Sequence, residues 1–148
     1  MKADTLEDLV KQAQRAQKRA YAPYSKYGVG AALLGASGKI YWGVNVENAS
    51  YGLTMCAERS AIFAGVASGE TSFEVLAIAA DGDEVPSPCG ACRQVMEEFN
   101  IPWVVLANLQ KRRKVVSRES LLPMAFGGDY LKEKKENDGK ERKLYGKW

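Results

Sequence analysis

The chain has 148 residues, of which 46% are hydrophobic and 26% are charged, and this composition fits a single folded domain with a substantial core. A net charge of +3 is too small to demand a nucleic-acid or membrane partner. No apolar run approaches the roughly 18 residues of a membrane span. The N-terminal stretch MKADTLEDLV has acidic residues where a signal peptide has its apolar core. We therefore expect a cytoplasmic protein that binds neither nucleic acid nor membrane.

The first predicted element is an amphipathic helix. Thr5 and Asp8 resemble a capping box at its start. Apolar residues then recur at helical spacing and predict a face that packs on the core: Leu6, Leu9, Val10, Ala13 and Ala16. The segment PYSKYGVG, which contains Pro23 and two glycines, ends this helix.

Strands and helices alternate through the rest of the chain. VGAALL and KIYWGVNV are predicted strands joined by the turn GASGK, and a helix follows from Cys56 to Ala67. FEVLAIAA is a buried strand, and the loop DGDEVPSP leads to a second helix from Cys89 to Phe99. WVVLANL and the short KVVS are the last strands, followed by a helical turn in RESLLPMAF that Pro123 stops. This order predicts a sheet layered between helices, in the α/β or α+β class.

The composition changes near the C-terminus. From Lys132 the sequence KEKKENDGKERK contains no apolar residue, which is typical of a solvated helix or a disordered tail. Its mixed charges argue against a dedicated nucleic-acid-binding arm. We therefore divide the chain into a folded domain, residues 1–131, and a charged tail, residues 132–148.

The three cysteines are confined to two short motifs, TMCAERSAI and PCGACRQ, in a chain that has no histidine. Cys89 and Cys92 are three residues apart at a predicted helix start, which places both sulfur atoms on one face. Cys56 also lies at a predicted helix start, where the helix dipole favours a thiolate. Three thiolates without a fourth cysteine or a histidine favour an open, catalytic zinc site. A structural zinc site completed by the Glu58 carboxylate and a set of inert buried cysteines are the alternatives.

Glu58 is the only carboxylate next to a cysteine. Without histidine, a general base must be a carboxylate, a lysine or a tyrosine, so Glu58 is the candidate to act on a water molecule in the fourth zinc position. Zinc with three thiolates carries a net charge of −1, and Arg59 and Arg93 are placed to compensate by donating hydrogen bonds to sulfur. Cys56 and Glu58 can share a site only if Cys56 lies at or before the first helical position.

Five motifs together resemble the small homotetrameric type of zinc-dependent cytidine deaminase: PYSKYGVGAAL, NVENASYG, CAERSAI, SPCGACRQ and LLPMAFG. The resemblance extends from about Leu6 to Leu131. It implies a three-layer α/β/α fold with a five-stranded mixed sheet. It also implies one zinc ion per subunit, bound by Cys56, Cys89, Cys92 and a water or hydroxide, with Glu58 as the catalytic proton carrier.

The implied reaction is the hydrolysis of cytidine and 2′-deoxycytidine to uridine and 2′-deoxyuridine plus ammonia, as a step of pyrimidine salvage. In NVENASY, the resemblance implies that Asn45 and Glu47 bind the ribose, with the Glu47 carboxylate on the 3′-hydroxyl. Because that carboxylate would repel a 3′-phosphate, we expect a free nucleoside as substrate rather than a nucleic-acid strand. The backbone N–H of Ala57 would bind the base carbonyl, and the carbonyl of Ser87 would accept a hydrogen bond from the exocyclic amine.

Further implied contacts involve aromatic side chains. Tyr51 and Phe126 resemble residues that reach a neighbouring subunit's site, which would make a homotetramer with active sites at its interfaces. Tyr27 occupies the position of a phenylalanine that stacks on the pyrimidine, since the chain has SKYGVG where the family usually has SKFPVG. Gly28 replaces a proline in the same motif and loosens the loop. GGDYL likewise replaces the common GPEDL.

Two alternative functions remain open at this point. One is a deaminase for another small cytosine compound, such as an antibiotic nucleoside of the blasticidin type, although NVENASY favours a nucleoside. The other is a zinc-held binding module that contacts RNA through QKRRK and the tail. Nucleic-acid binders cluster basic and aromatic residues on one surface, whereas this basic run is short and acids lie close to it. Replacing Glu58 by glutamine would separate the two, because only an enzyme loses turnover.

Overall fold

A computed structural model describes residues 3–131 of the chain, and the predicted tail, 132–148, lies outside the described residues. The elements in chain order are α1 (Ala3–Gln17), β1 (Val29–Gly35), β2 (Ile40–Val44), α2 (Ala57–Ala67), β3 (Phe73–Ala80), α3 (Gly90–Glu98), β4 (Trp103–Asn108), β5 (Arg113–Ser117) and α4 (Arg118–Leu121). A 3₁₀ turn at Tyr51–Leu53 precedes α2. The predicted order of helices and strands is confirmed.

The five strands form one mixed sheet in the order β2-β1-β3-β4-β5. β1 and β2 form the predicted hairpin, with Gly30 opposite Val44, and β1 also pairs antiparallel with β3. β3 and β4 run parallel because α3 returns the chain between them, and β5 pairs antiparallel with β4. This topology confirms the five-stranded mixed sheet.

Helices cover both faces of the sheet, and the period-2 alternation of the strands determines which residues face which helix. Leu33, Leu76 and Leu106 pack with residues of α2 and α3 in one core cluster. Their strand neighbours, including Val75 and Val105, pack under α1 in a second cluster. The predicted α1 stripe is buried at Leu9, Val10, Ala13 and Ala16. The three-layer α/β/α arrangement is therefore confirmed.

Gly43 determines how closely α2 approaches the sheet. A Cβ atom at this position would lie 2.2 Å from the Ala57 carbonyl oxygen and 2.3 Å from the Ala61 backbone nitrogen. Only a residue without a side chain permits this approach. The first turn of α2, which carries Glu58, is thereby packed directly on β2.

Three helices start at other residues than the sequence predicts. α1 already includes Ala3, so Thr5 lies inside the helix and the predicted capping box is wrong. Alanine is the strongest helix former, and Asp4 is favourable in a first turn, so these residues extend the helix beyond Thr5. α2 and α3 each begin one residue later than predicted, because Cys56 and Cys89 are N-caps with extended backbone.

Across residues 3–131, none of the helices is both long enough and apolar enough to span a membrane.

Candidate active site

The three cysteines converge where two helices begin. The Sγ atoms of Cys56 and Cys89 lie 3.8 Å apart, and those of Cys89 and Cys92 lie 3.5 Å apart. All three Sγ atoms lie within 4.8 Å of one another. Within residues 3–131, this is the one group of three or more cysteine, aspartate or glutamate side chains close enough to share a metal ion.

The helix N-termini explain why these residues meet. Cys56 is the N-cap of α2 and Cys89 is the N-cap of α3, and Cys92 follows one turn into α3. Neither N-cap sulfur accepts a hydrogen bond from a backbone N–H of its own helix, so the helix ends do not use these sulfurs as caps. The two helix ends also direct their positive partial charge at the cluster.

The sulfur positions fit a zinc ion. Zinc–thiolate bonds are about 2.3 Å long, and tetrahedral angles then separate two ligand sulfurs by about 3.8 Å. The observed separations of 3.5 and 3.8 Å are close to this value. Three sulfur ligands on a tetrahedral ion leave one position for another ligand, as in catalytic zinc sites.

Glu58 is buried beside the cluster. Its side chain is only 6% exposed, and its Oε2 lies 3.6 Å from the Cys92 Sγ. Burial raises the pKa of the Glu58 carboxyl, and the negative charge at Cys56 raises it further. The condition on Cys56 is met, because Cys56 is the N-cap of α2 and so lies before the first helical position.

Arg59 contacts the thiols as predicted. Its Nη2 donates a hydrogen bond to the Cys56 Sγ at 3.2 Å. The Cys56 pKa is lowered to about 5, chiefly because the Cys92 thiol donates a hydrogen bond to it and then because Arg59 does. The same contact with Cys56 raises the pKa of the Cys92 thiol, and burial adds to this. The cluster therefore favours negative charge on sulfur at Cys56.

Arg93 does not follow the sequence prediction. It donates hydrogen bonds to the Pro88 carbonyl from Nε, to the Leu121 carbonyl from Nη1 and to the Ser87 Oγ from Nη2, at distances of 2.8, 2.7 and 2.8 Å. Its guanidinium thus contacts the loop before α3 and the end of α4, and compensation of thiolate charge falls to Arg59.

Asn45 and Glu47 both hold the loop after α1. The Asn45 amide donates to the Tyr27 carbonyl at 2.8 Å and accepts from the Val29 backbone N–H at 2.8 Å. Glu47 Oε1 accepts from the backbone N–H groups of Tyr24 and Ser25, at 2.9 and 3.0 Å. The Ser25 hydroxyl donates to Glu47 Oε2. These bonds lower the pKa of Glu47, and they leave one Asn45 N–H and lone pairs of Oε2 for a ligand.

A cavity of about 390 Å³ lies beside these residues. It is lined by Tyr24, Ser25, Glu47, Tyr51 and Thr54, so two predicted substrate-binding residues share it. Ser25, Tyr24 and Thr54 were missed by the sequence reasoning. The sequence reasoning used PYSKYGVG for its turn and for Tyr27, and no local pattern pairs Ser25 with a carboxylate 22 residues away.

The remaining predicted site residues differ in how exposed they are. Tyr27 is half-exposed. Partial burial is the main cause that raises the pKa of its hydroxyl, and the negative charge of the Glu58 carboxylate raises it further. Ala57 is the first residue of α2, so its backbone N–H has no partner within the helix. Tyr51 is 74% exposed and packs edge-on against Tyr24. Phe126 is also exposed, and its ring contacts the ring of Tyr130. The rings of Tyr51 and Phe126 therefore point away from the core.

Comparisons with known proteins agree with this site. The cytidine and deoxycytidylate deaminase zinc-binding region matches residues 3–108. A cytidine deaminase from Sporosarcina psychrophila is 46% identical over 129 residues, which cover 85% of this chain and 94% of that protein. A probable cytidine deaminase from Dictyostelium discoideum is 44% identical over 144 residues, or 97% of this chain and 98% of that protein.

Solved structures give the same result. The crystal structure of a cytidine deaminase from Burkholderia pseudomallei superposes with a TM-score of 0.79 at 46% identity, covering 85% of this chain and 100% of that one. The cytidine deaminase of Mycobacterium tuberculosis has a TM-score of 0.71 at 38% identity, covering 82% and 97%. Since the family match spans more than half of the sequence and close relatives share over 40% of its residues, the chain belongs to the cytidine and deoxycytidylate deaminase family.

Proposed function

We propose that the protein hydrolyses cytidine and 2′-deoxycytidine to uridine and 2′-deoxyuridine plus ammonia, with residues 1–131 as the catalytic domain. The observation that carries this proposal is the buried Glu58 carboxylate 3.6 Å from one of three thiols spaced for zinc. A structural zinc site has no use for a buried proton carrier, whereas hydrolytic deamination requires one. We place this reaction in pyrimidine salvage in the cytoplasm.

Cys56, Cys89 and Cys92 are the residues that would hold one zinc ion per chain. When bound, zinc supplies a Lewis acid that lowers the pKa of a coordinated water. In the overall reaction, an oxygen from water replaces the amino group at C4 of the pyrimidine, and the ring must lose its aromaticity on the way. Glu58 accepts a proton from this water and delivers it to N3, which makes C4 electrophilic.

The same carboxylate completes the reaction. Glu58 takes the second proton of the former water and gives it to the amino group, so that the C4–N bond breaks and ammonia leaves. The N3 proton stays in the product as the uridine N–H. One carboxylate that reaches both the water and the ring therefore suffices, and its raised pKa suits a group that must alternately hold and release a proton.

Substrate selection rests on the groups around the cluster. The Ala57 N–H would bind the base carbonyl, the Ser87 carbonyl the exocyclic amine, and Tyr27 one face of the ring. Asn45 and Glu47 would bind the ribose through the hydrogen-bonding capacity left after they hold the α1–β1 loop. Because Glu47 is ionised, a 3′-phosphate would be repelled, which favours free nucleosides.

We also propose a homotetramer with active sites at subunit interfaces. Exposed apolar side chains supply the support: Tyr51 and Leu53 before α2, Phe63 and Val66 on its outer face, and Phe126. Large apolar side chains exposed on a folded domain are candidates for an association surface. Tyr51 also lines the cavity that contains Glu47, so a neighbouring chain at this surface would contact the sugar site.

The test is loss of cytidine absorbance on mixing with purified protein, with zinc measured on the same sample and the mass of the particle measured in solution. Turnover to uridine at about one zinc per chain supports the proposal when Glu58→Gln retains zinc and loses turnover. Intact zinc with no turnover on cytidine or deoxycytidine would refute it and direct attention to Tyr27 and Gly28. A monomeric active enzyme would refute the interface sites alone.

A further inference from the structure

We propose that Arg93 is a positioning residue that fixes the Ser87–Pro88 segment so that the Ser87 carbonyl is presented to the exocyclic amine of the substrate. This inference rests on the proposed function and deepens it. It assigns a role to a side chain that the sequence placed, wrongly, beside the thiolates.

The Arg93 guanidinium makes three hydrogen bonds through three different nitrogens. Nε donates to the Pro88 carbonyl at 2.8 Å, and Nη2 donates to the Ser87 Oγ at 2.8 Å. Nη1 donates to the Leu121 carbonyl at 2.7 Å. A planar fork that donates in three directions fixes the relative position of its acceptors, which a lysine ammonium on a flexible stem cannot reproduce.

Arg93 supplies side-chain hydrogen bonds to the end of the loop before α3, next to the buried Pro88. Residues 81–89 connect β3 to α3 without a helix or strand. Asn108 holds the beginning of this loop by donating to the carbonyls of Gly82 and Asp83, at 3.0 and 3.3 Å. At the other end, Arg93 binds the two residues directly before the Cys89 ligand. Hydrogen bonds from one side chain therefore hold each end of the loop, and Val85 packs on the core between them.

The Ser87 carbonyl oxygen is free to accept a ligand. Within residues 3–131, no backbone or side-chain donor hydrogen-bonds this atom, although the Ser87 hydroxyl and the Pro88 carbonyl are both engaged by Arg93. A carbonyl that is immobilised through its neighbours and left unpaired is preorganised to receive an N–H group. Preorganisation matters because small displacements of a positioning group are costly for binding and catalysis.

Arg93 also connects this segment to the C-terminal part of the fold. Leu121 is the last residue of α4, and its carbonyl accepts from the same guanidinium. The next residue of α3, Gln94, donates to the Phe126 carbonyl at 2.7 Å. Arg93 therefore links the Ser87–Pro88 segment to both α3 and α4.

The contact between the Ser87 carbonyl and the amine is available to cytidine but not to uridine, which has an oxygen at C4. Loss of the contact should weaken substrate binding about tenfold, the change that corresponds to one ordinary hydrogen bond. If the contact persists from the bound state to the transition state, KM rises and kcat changes little. A general loosening of the site would instead weaken cytidine and uridine alike.

The experiment compares the zinc-loaded wild type with Arg93→Met, Arg93→Lys and Arg112→Met. Arg112 provides a matched control, because it pairs with Glu84 of the same loop at 3.5 Å and both side chains are solvent-exposed, where ion pairs contribute little. For each variant, kcat and KM are measured with cytidine, the inhibition constant with uridine, and zinc content and thermal midpoint on the same sample.

We expect Arg93→Met to raise the cytidine KM about tenfold while the uridine inhibition constant stays within about twofold of wild type and zinc is retained. Arg93→Lys should give a smaller rise of the same kind, and it replaces the methionine variant if that one fails to fold. Arg112→Met should match wild type. An unchanged cytidine KM, or equal weakening of cytidine and uridine, would overturn the role of Arg93 in an active enzyme. A wild type that does not deaminate cytidine would refute the proposed function and this role with it.

Discussion

Replacing Gly43 by alanine should displace the helix that carries Cys56 and Glu58. The added Cβ would lie 2.2 Å from the Ala57 carbonyl oxygen and 2.3 Å from the Ala61 nitrogen. Carbon and oxygen atoms in normal contact are about 3.3 Å or more apart, so the backbone of α2 must move by about 1 Å. Both clashing atoms belong to backbone, and no side-chain rotation can relieve them.

Two consequences follow from this displacement. The strain should lower the free energy of unfolding by about 1–3 kcal/mol, the usual cost of inserting a methyl group into a packed interior. Turnover should also fall in the protein that remains folded, because a shift of about 1 Å in a catalytic group can reduce the rate about 100-fold. Cys56 and Glu58 lie at the start of the displaced helix, whereas Cys89 and Cys92 lie at the start of α3. A movement of α2 alone would therefore change the distances between the three sulfur atoms.

The assay combines denaturant unfolding, zinc content and kcat/KM for cytidine. Gly128→Ala is the matched control, because a Cβ there would meet no atom within 4 Å. Wild-type stability and turnover in Gly43→Ala would refute the reasoning. So would equal losses in both variants, since these would show that the loss of glycine flexibility rather than the close approach of α2 is responsible.

Two further predictions concern Arg59, which contacts the cysteine cluster, and Ser25, which contacts Glu47. Arg59→Met removes the donor 3.2 Å from the Cys56 sulfur and should weaken zinc binding about 10- to 100-fold. Competition with a chromophoric chelator measures the zinc affinity, and Arg59→Lys should restore part of it. Unchanged affinity in Arg59→Met would contradict this prediction. Ser25→Ala removes the hydroxyl that donates to Glu47 Oε2 and should raise the cytidine KM about threefold to tenfold. The rise should be smaller for a substrate without a 3′-hydroxyl, and equal rises would show that Glu47 does not bind that group.

The metal cluster could be predicted from the sequence because its geometry is local. Cys89 and Cys92 share one helix start, and Cys56 shares the same kind of position on another helix. Helix N-termini are recognisable from the pattern of apolar residues and from Pro88. The one long-range step was that the two starts meet, and the order of strands in an α/β layer favours this because α2 and α3 pack on the same face.

The contacts of long polar side chains could not be predicted in the same way. Arg93 follows Cys92 directly, yet successive residues of a helix point about 100° apart, so its guanidinium turns to Pro88 and Leu121. Glu47 was expected to face a sugar, and nothing in the sequence indicated that it also makes three contacts with a loop more than twenty residues earlier. Such contacts depend on how β2 and the α1–β1 loop lie in space, which no periodicity encodes.

The absence of histidine explains why the site is built on two helix ends and an arginine. A zinc ion with three thiolates has a net charge of −1, whereas three neutral imidazoles would leave it at +2. Each helix N-terminus contributes about half a positive charge, and Arg59 adds one at hydrogen-bonding distance from sulfur. These contributions offset the excess negative charge of the thiolates. Because both helices must start at the cluster for this to hold, the close packing of α2 at Gly43 is a requirement of the chemistry as well as of the fold.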